Sequence, residues 1–114
     1  MKVPLYQAKA EFFRMLGHPV RIRVLELLSD GPMPVRDLLA EIDVEASNLS
    51  QQLAVLRRAG IVTATRERST MVYALAGPDV SDLLQAARRI LTELIAGREE
   101  LLAELRQATA TQTR

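Results

Sequence analysis

The stretch from Glu45 to Val62, EASNLSQQLAVLRRAGIV, constrains the fold more than any other, because it reads as one helix with a dry side and a wet side. At about 100° per residue, Leu49, Leu53 and Leu56 fall in one narrow apolar stripe, with Ala46 near its edge and Gly60 at its end. The opposite face projects Ser47, Gln51 and Arg58, flanked by Asn48 and Ser50, with only the short side chains of Ala54 and Val55 between them. Such a helix has to lie on a core and turn a face without bulk outward. Ser, Asn, Gln and Arg can reach base edges in a major groove, and an Ala or Val beside them lets a helix come close enough to touch a thymine methyl. An ordinary solvated face has the same composition, so the neighbouring segments decide between the two readings.

The segment before it is a short helix from about Pro34 to Ile42, with Leu38, Leu39 and Ile42 on one side and Arg36, Asp37 and Glu41 on the other. Only Asp43-Val44-Glu45 separates the two helices, so together they predict a helix-turn-helix whose second element reads. Glu45, at the start of the reading helix, is expected to cap its free N–H groups and to suit the helix dipole. Further upstream, a first helix spans Leu5 to Leu16 and is too apolar for a free surface helix, with Phe12, Phe13, Met15 and Leu16 near its end. Gly17-His18-Pro19 stops it and starts a second helix, which runs to about Ser29 and turns Ile22, Val24, Leu25, Leu27 and Leu28 to the core. His18, the one histidine in the chain, reads as a capping or packing residue rather than a ligand.

After Gly60, Ile61 to Arg66 and Met71 to Leu75 are rich in Val, Thr, Ile and Tyr and predict a two-stranded hairpin. Arg66 and Arg68 at its tip are placed to follow a phosphate backbone or to enter a minor groove. Gly77-Pro78-Asp79 then punctuates the chain before a long helix from about Val80 to Gln107. Leu83, Ala87, Ile90, Leu94 and Leu101 recur along it at near-heptad spacing, and Leu84, Leu91, Ile95 and Leu102 flank them. That stripe is wider than one small domain can cover. Gly97 interrupts the helix at a cost of about 1 kcal/mol relative to Ala, enough to bend or break it. The end, ATATQTR, has no apolar periodicity and is expected to be disordered.

The expected fold is therefore mainly α with a small β-hairpin: a winged helix-turn-helix with helices at both termini forming a dimer interface. A chain of 114 residues with 48% hydrophobic content supports one compact domain, taken as residues 1–107, with 108–114 as a tail. No apolar run approaches the roughly 20 residues of a membrane span, and MKVPLYQAKAEFF lacks the apolar core of a secretion signal, so a cytoplasmic location is expected. Cysteine is absent, and thirteen of the fifteen basic residues are Arg, a bias that points to a GC-rich bacterial genome. With one His, no Cys and no Gly-rich phosphate loop, the chain is not expected to be an enzyme or to carry a cofactor. Net charge is only +1, but it is unevenly spread. Between Ala46 and Ala76 four arginines face one glutamate, a balance of +3, whereas the remainder has eleven basic and thirteen acidic residues, a balance of −2. Positive charge thus gathers on the reading helix and hairpin, where a polyanion would bind.

The phrase GHPVRIRVLELL, the segment SNLSQQLAVLRRAGIV and the following wing together resemble the ArsR-type winged helix-turn-helix repressors of bacteria over about residues 5 to 100. The resemblance implies a homodimer paired through the first and last helices, with two recognition helices in successive major grooves of an imperfect palindrome in double-stranded promoter DNA. Gln51 and Gln52 stand where many members have His or Gln, which completes an expected DNA-contacting set of Ser47, Asn48, Ser50, Gln51, Gln52, Arg58, Arg66 and Arg68. The chain departs from the family at its sensor positions. Pro34-Val35-Arg36-Asp37-Leu38 replaces the cysteine-bearing motif of the supporting helix, and Asp79-Val80-Ser81-Asp82 offers no imidazole on the last helix. Zinc, cobalt, nickel and arsenite prefer N and S ligands that the chain cannot supply in number, so no metal site is expected. The resemblance therefore carries over the DNA-reading role and leaves the signal undefined: a small molecule in the dimer interface, a partner protein, or no ligand at all. The other function weighed is a winged-helix interaction module without DNA binding, against which Arg58, Arg66 and Arg68 beside a bulk-free polar face argue.

Overall fold

The computed structural model of the chain describes residues 3–112, which divide into two compact units, one up to Ser81 and one from Asp82. The first unit holds α1 (Leu5–Leu16), α2 (Pro19–Leu28), β1 (Met33–Pro34), α3 (Val35–Glu41), α4 (Ala46–Arg58), β2 (Val62–Glu67) and β3 (Thr70–Leu75). A last helix, α5 (Asp79–Gln112), begins there and makes up the second unit. The strands form an antiparallel sheet of order β1-β3-β2. Among the described residues no helix is long and apolar enough to cross a membrane.

The core of the first unit is built by the periodic residues. Val24, Leu25 and Leu28 of α2, Leu38 of α3 and Leu49, Leu53 and Leu56 of α4 are buried together with Leu16, Ile42 and Val62. The start of α2 is fixed by His18, whose Nδ1 accepts a hydrogen bond from the Val20 N–H at 3.2 Å, while Pro19 occupies the first turn, where no N–H is needed. His18 is the cap that the sequence suggests. Glu45 is not: it stands at the N-cap of α4 without a side-chain hydrogen bond to the helix.

α4 ends at Arg58, earlier than the sequence reading to Val62. The Gly60 N–H donates to the Arg57 carbonyl at 3.0 Å and the Ile61 N–H to the Leu56 carbonyl at 3.1 Å, with Gly60 at φ +77°. This pair of bonds is a Schellman cap, which turns the chain out of the helix and sends Val62 into β2. β2 and β3 pair from Val62↔Leu75 to Glu67↔Thr70, leaving Arg68-Ser69 as a two-residue loop. The two-residue β1 is absent from the sequence reading. It lies at the sheet edge, where Pro34 loses nothing by lacking an N–H, and is too short for any periodicity to reveal.

α5 is unbroken at Gly97 and continues to Gln112, five residues past the expected end. Ala and Gln suit a helix, nothing from Ala108 to Gln112 is Gly or Pro, and the Thr109 hydroxyl satisfies itself on the Leu105 carbonyl at 3.0 Å. Residues 108–112 are thus helical rather than a disordered tail, and 113–114 lie outside the described residues. Along the second unit Ile90, Leu91, Leu94, Ile95, Leu101, Leu102 and Leu105 are exposed.

Candidate nucleic-acid interface

Burial of Leu49, Leu53 and Leu56 fixes the rotation of α4 about its axis, and the rest of its side chains follow from that. Ser47, Ser50, Gln51 and Arg58 are exposed, Ala54 and Val55 are half-buried between them, and Asn48 is half-buried at the border. This is the bulk-free polar face that the sequence predicts. Arg57 and Arg58 close the helix, where positive charge also suits the dipole.

Gln52 does not belong to that face. It is 8% exposed and held on both sides: its Oε1 accepts from Arg21 Nε of α2 at 2.7 Å, and its Nε2 donates to Asn48 Oδ1 at 2.9 Å. The sequence contained the signal. Gln52 is three residues after Leu49 and four before Leu56, the spacings that place side chains on one side of a helix. Its expected role as a base reader gives way to that of an internal support for α4. Arg21, which the sequence reading did not single out, is the donor at the root of this chain of bonds, and its Nη1 also donates to the Met15 carbonyl at 2.7 Å.

The wing places Arg66 on β2 opposite Met71, and Arg68 at the first position of the loop, both exposed. Arg68 has φ +59°, a left-handed conformation that a two-residue hairpin loop needs and that usually calls for Gly, Asn or Asp. Beside the loop, Arg36 of α3, Pro32, Pro34, Glu67, Arg68 and Ser69 help line an open cleft of about 600 Å³. Among the described residues Arg36 makes only a long ion pair with Asp37, 3.9 Å, with both groups well exposed, so its charge remains available. Among the described residues no group of three or more His, Cys, Asp or Glu side chains is placed to hold a metal ion.

A model of the arsR family of bacterial regulatory proteins matches residues 18–64, from the cap of α2 into β2. The HTH-type transcriptional regulator Rv0081 of Mycobacterium tuberculosis is 50% identical over 104 residues, 90% of this chain and 91% of that protein. The chain belongs to the arsR family. The crystal structure of Rv0081 matches with a TM-score of 0.78, covering 85% of this chain and 98% of that one. A second member of this fold, the homodimeric winged helix-turn-helix DNA-binding domain of Mb0332 from Mycobacterium bovis, matches at 26% identity with a TM-score of 0.71, over 80% of this chain and 84% of that one. The biofilm growth-associated repressor of Agrobacterium fabrum is 39% identical over 77 residues, 68% of this chain and 66% of that protein. This arsR-family chain is a transcriptional regulator with a winged helix-turn-helix.

Proposed function

We propose that the protein is a homodimeric repressor that binds an imperfect palindrome in promoter DNA, with α4 of each protomer in a major groove and each wing beside it. The observation that carries this reading is the outer face of α4, where Ser47, Ser50, Gln51 and Arg58 stand exposed around Ala54 and Val55 with no bulky side chain in the way. Asn48 joins them at the edge, and Arg66 and Arg68 supply charge for the phosphate backbone. Pairing through α1 and α5 is supported by their uncovered apolar side chains, and the similar Mb0332 domain is described as homodimeric. Residues 1–107 serve as one functional domain in this reading, without catalysis, acting on chromosomal DNA in the cytoplasm.

Repression by this chain is not relieved through soft-metal sites, because a protomer with no thiolate and one imidazole, itself used as a helix cap, cannot build a tetrahedral centre. The remaining alternatives for the signal are a small molecule in the dimer interface, a protein partner, or no ligand at all. The test is a gel shift against DNA from the promoter upstream of the protein's own gene, at several salt concentrations. Retarded DNA at nanomolar protein, unchanged by zinc, arsenite or EDTA, is the expected result. No preference for any promoter fragment over random DNA would overturn the reading, and release of DNA by stoichiometric zinc would overturn its metal-independent part.

A further inference from the structure

The bonds that hold Gln52 also decide what Asn48 can offer. A guanidinium only donates, so the Gln52 atom 2.7 Å from Arg21 Nε has to be the amide oxygen. The amide nitrogen of Gln52 then faces Asn48 at 2.9 Å, and a donor there requires that the Asn48 atom be Oδ1. Asn48 Nδ2 is left pointing away from Gln52, and among the described residues no protein acceptor takes its hydrogens. Arg21 cannot relax this arrangement, being tied through its second nitrogen to the Met15 carbonyl in the last turn of α1. Because Gln52 is buried, turning either amide over would set donor against donor away from water, and a buried unsatisfied group is costly.

We infer that Asn48 turns the N–H end of its amide, rather than the oxygen, outward to the DNA, and that Arg21, on another helix, is the positioning residue that sets this polarity. The inference rests on the proposal that α4 is the reading helix. An asparagine free to turn can put either end of its amide against a base edge; in Asn48 the oxygen is held towards Gln52, with one of its two lone pairs taken there, so the end turned outward is the donor end. The partner of its outward Nδ2 is a hydrogen-bond acceptor: guanine O6 or N7, adenine N7, thymine O4, or a phosphate oxygen.

The test is base-by-base operator selection with the full-length protein and four variants, alongside affinity for random DNA. Asn48→Ala should flatten the preference at one base pair of each half-site by about tenfold if the acceptor is on a base, or weaken every DNA alike if it is a phosphate. Gln52→Glu keeps the partner of Arg21 but replaces the donor facing Asn48 with an acceptor, so the Asn48 amide should turn over and send Oδ1 outward. At a base, preference should then move at that same pair towards cytosine, which offers a donor and no acceptor in the major groove; at a phosphate, all binding should fall by about tenfold. Asn48→Asp, which leaves Gln52 and Arg21 in place and alters the outward atom, should shift preference in the same direction and decides the matter should Gln52→Glu unfold. Arg21→Leu should leave the helix content unchanged by circular dichroism yet broaden the preference at that pair, which a purely structural role for Arg21 would not do. A wild-type protein that selects an operator while folded Gln52→Glu and Asn48→Asp keep its profile and its affinity overturns the inference alone. Failure of the wild-type protein to select any operator overturns the reading of α4 as well.

Discussion

α4 and α5 each carry a line of leucines, and only one of the two lines is covered. Leu49, Leu53 and Leu56 of α4 are buried, whereas Ile90 and Leu94 of α5 are 58% and 60% exposed, and on α1 Leu5 and Tyr6 reach 69% and 72%. The same residue types at the same spacings therefore serve different ends. In the helix-turn-helix the apolar surface finds its complement within the chain. On the terminal helices it is written for a surface that one copy of the chain leaves unmet, and patches of this kind mark interfaces.

That contrast can be broken by experiment. Leu53→Ala removes side-chain volume from a closed core and should cost about 2 to 5 kcal/mol in denaturant unfolding, with the protein still dimeric below the transition. Leu94→Glu should do the opposite: on the proposed dimer it weakens association by about 2 kcal/mol or more, so that light scattering falls from about twice 12.7 kDa towards the single-chain mass while the helix-turn-helix stays folded. Were Leu53→Ala to dissociate the protein and Leu94→Glu to unfold it, the division between covered and uncovered stripes would be wrong.

Within the first unit, the helix face and the wing offer a finer comparison. Gln51→Ala should cost about 1 to 3 kcal/mol on the operator and little on random DNA, because an amide at the centre of the face bonds a base edge. Arg68→Ala should weaken both DNAs by similar factors and lower the slope of log K against log salt by about 1, as expected for a lost phosphate contact. The reverse pattern in titrations of both variants on both DNAs would exchange their roles. The smallest effect is expected at Gly97, where an added Cβ meets no atom within 4 Å. Gly97→Ala should raise helix stability by up to about 1 kcal/mol in thermal melts, and a loss would show that the proposed partner helix packs closely there.

Much of this was legible from periodicity, which is why Leu49, Leu53 and Leu56, the hairpin strands and the start and end of α1 agree between sequence and structure. The parts that were not legible depend on partners distant in sequence or on a single bond. Gln52 is polar by type and inward by position, and its burial is made tolerable by Asn48 on its own helix and by the guanidinium of Arg21, 31 residues earlier. β1 exists because β3 offers Met33 and Pro34 an edge, a fact that two residues cannot announce. The end of α4 was signalled by Gly60, but the exact last turn depended on which carbonyls its N–H and that of Ile61 would reach. Of the eight residues expected to contact DNA, Gln52 alone is withdrawn from the surface.

The left-handed backbone at Arg68 sets two selective pressures against each other. A residue with a Cβ at φ +59° stores about 1 kcal/mol that Gly would release, so Arg68→Gly should melt at a higher temperature than the wild type while binding all DNA more weakly. A library screened for heat resistance alone would enrich such variants and discard the charge. The tip of the wing is thus a place where thermal tolerance and occupancy of the promoter trade against one another in a single codon, and paired melting and titration curves for that one variant would measure the exchange.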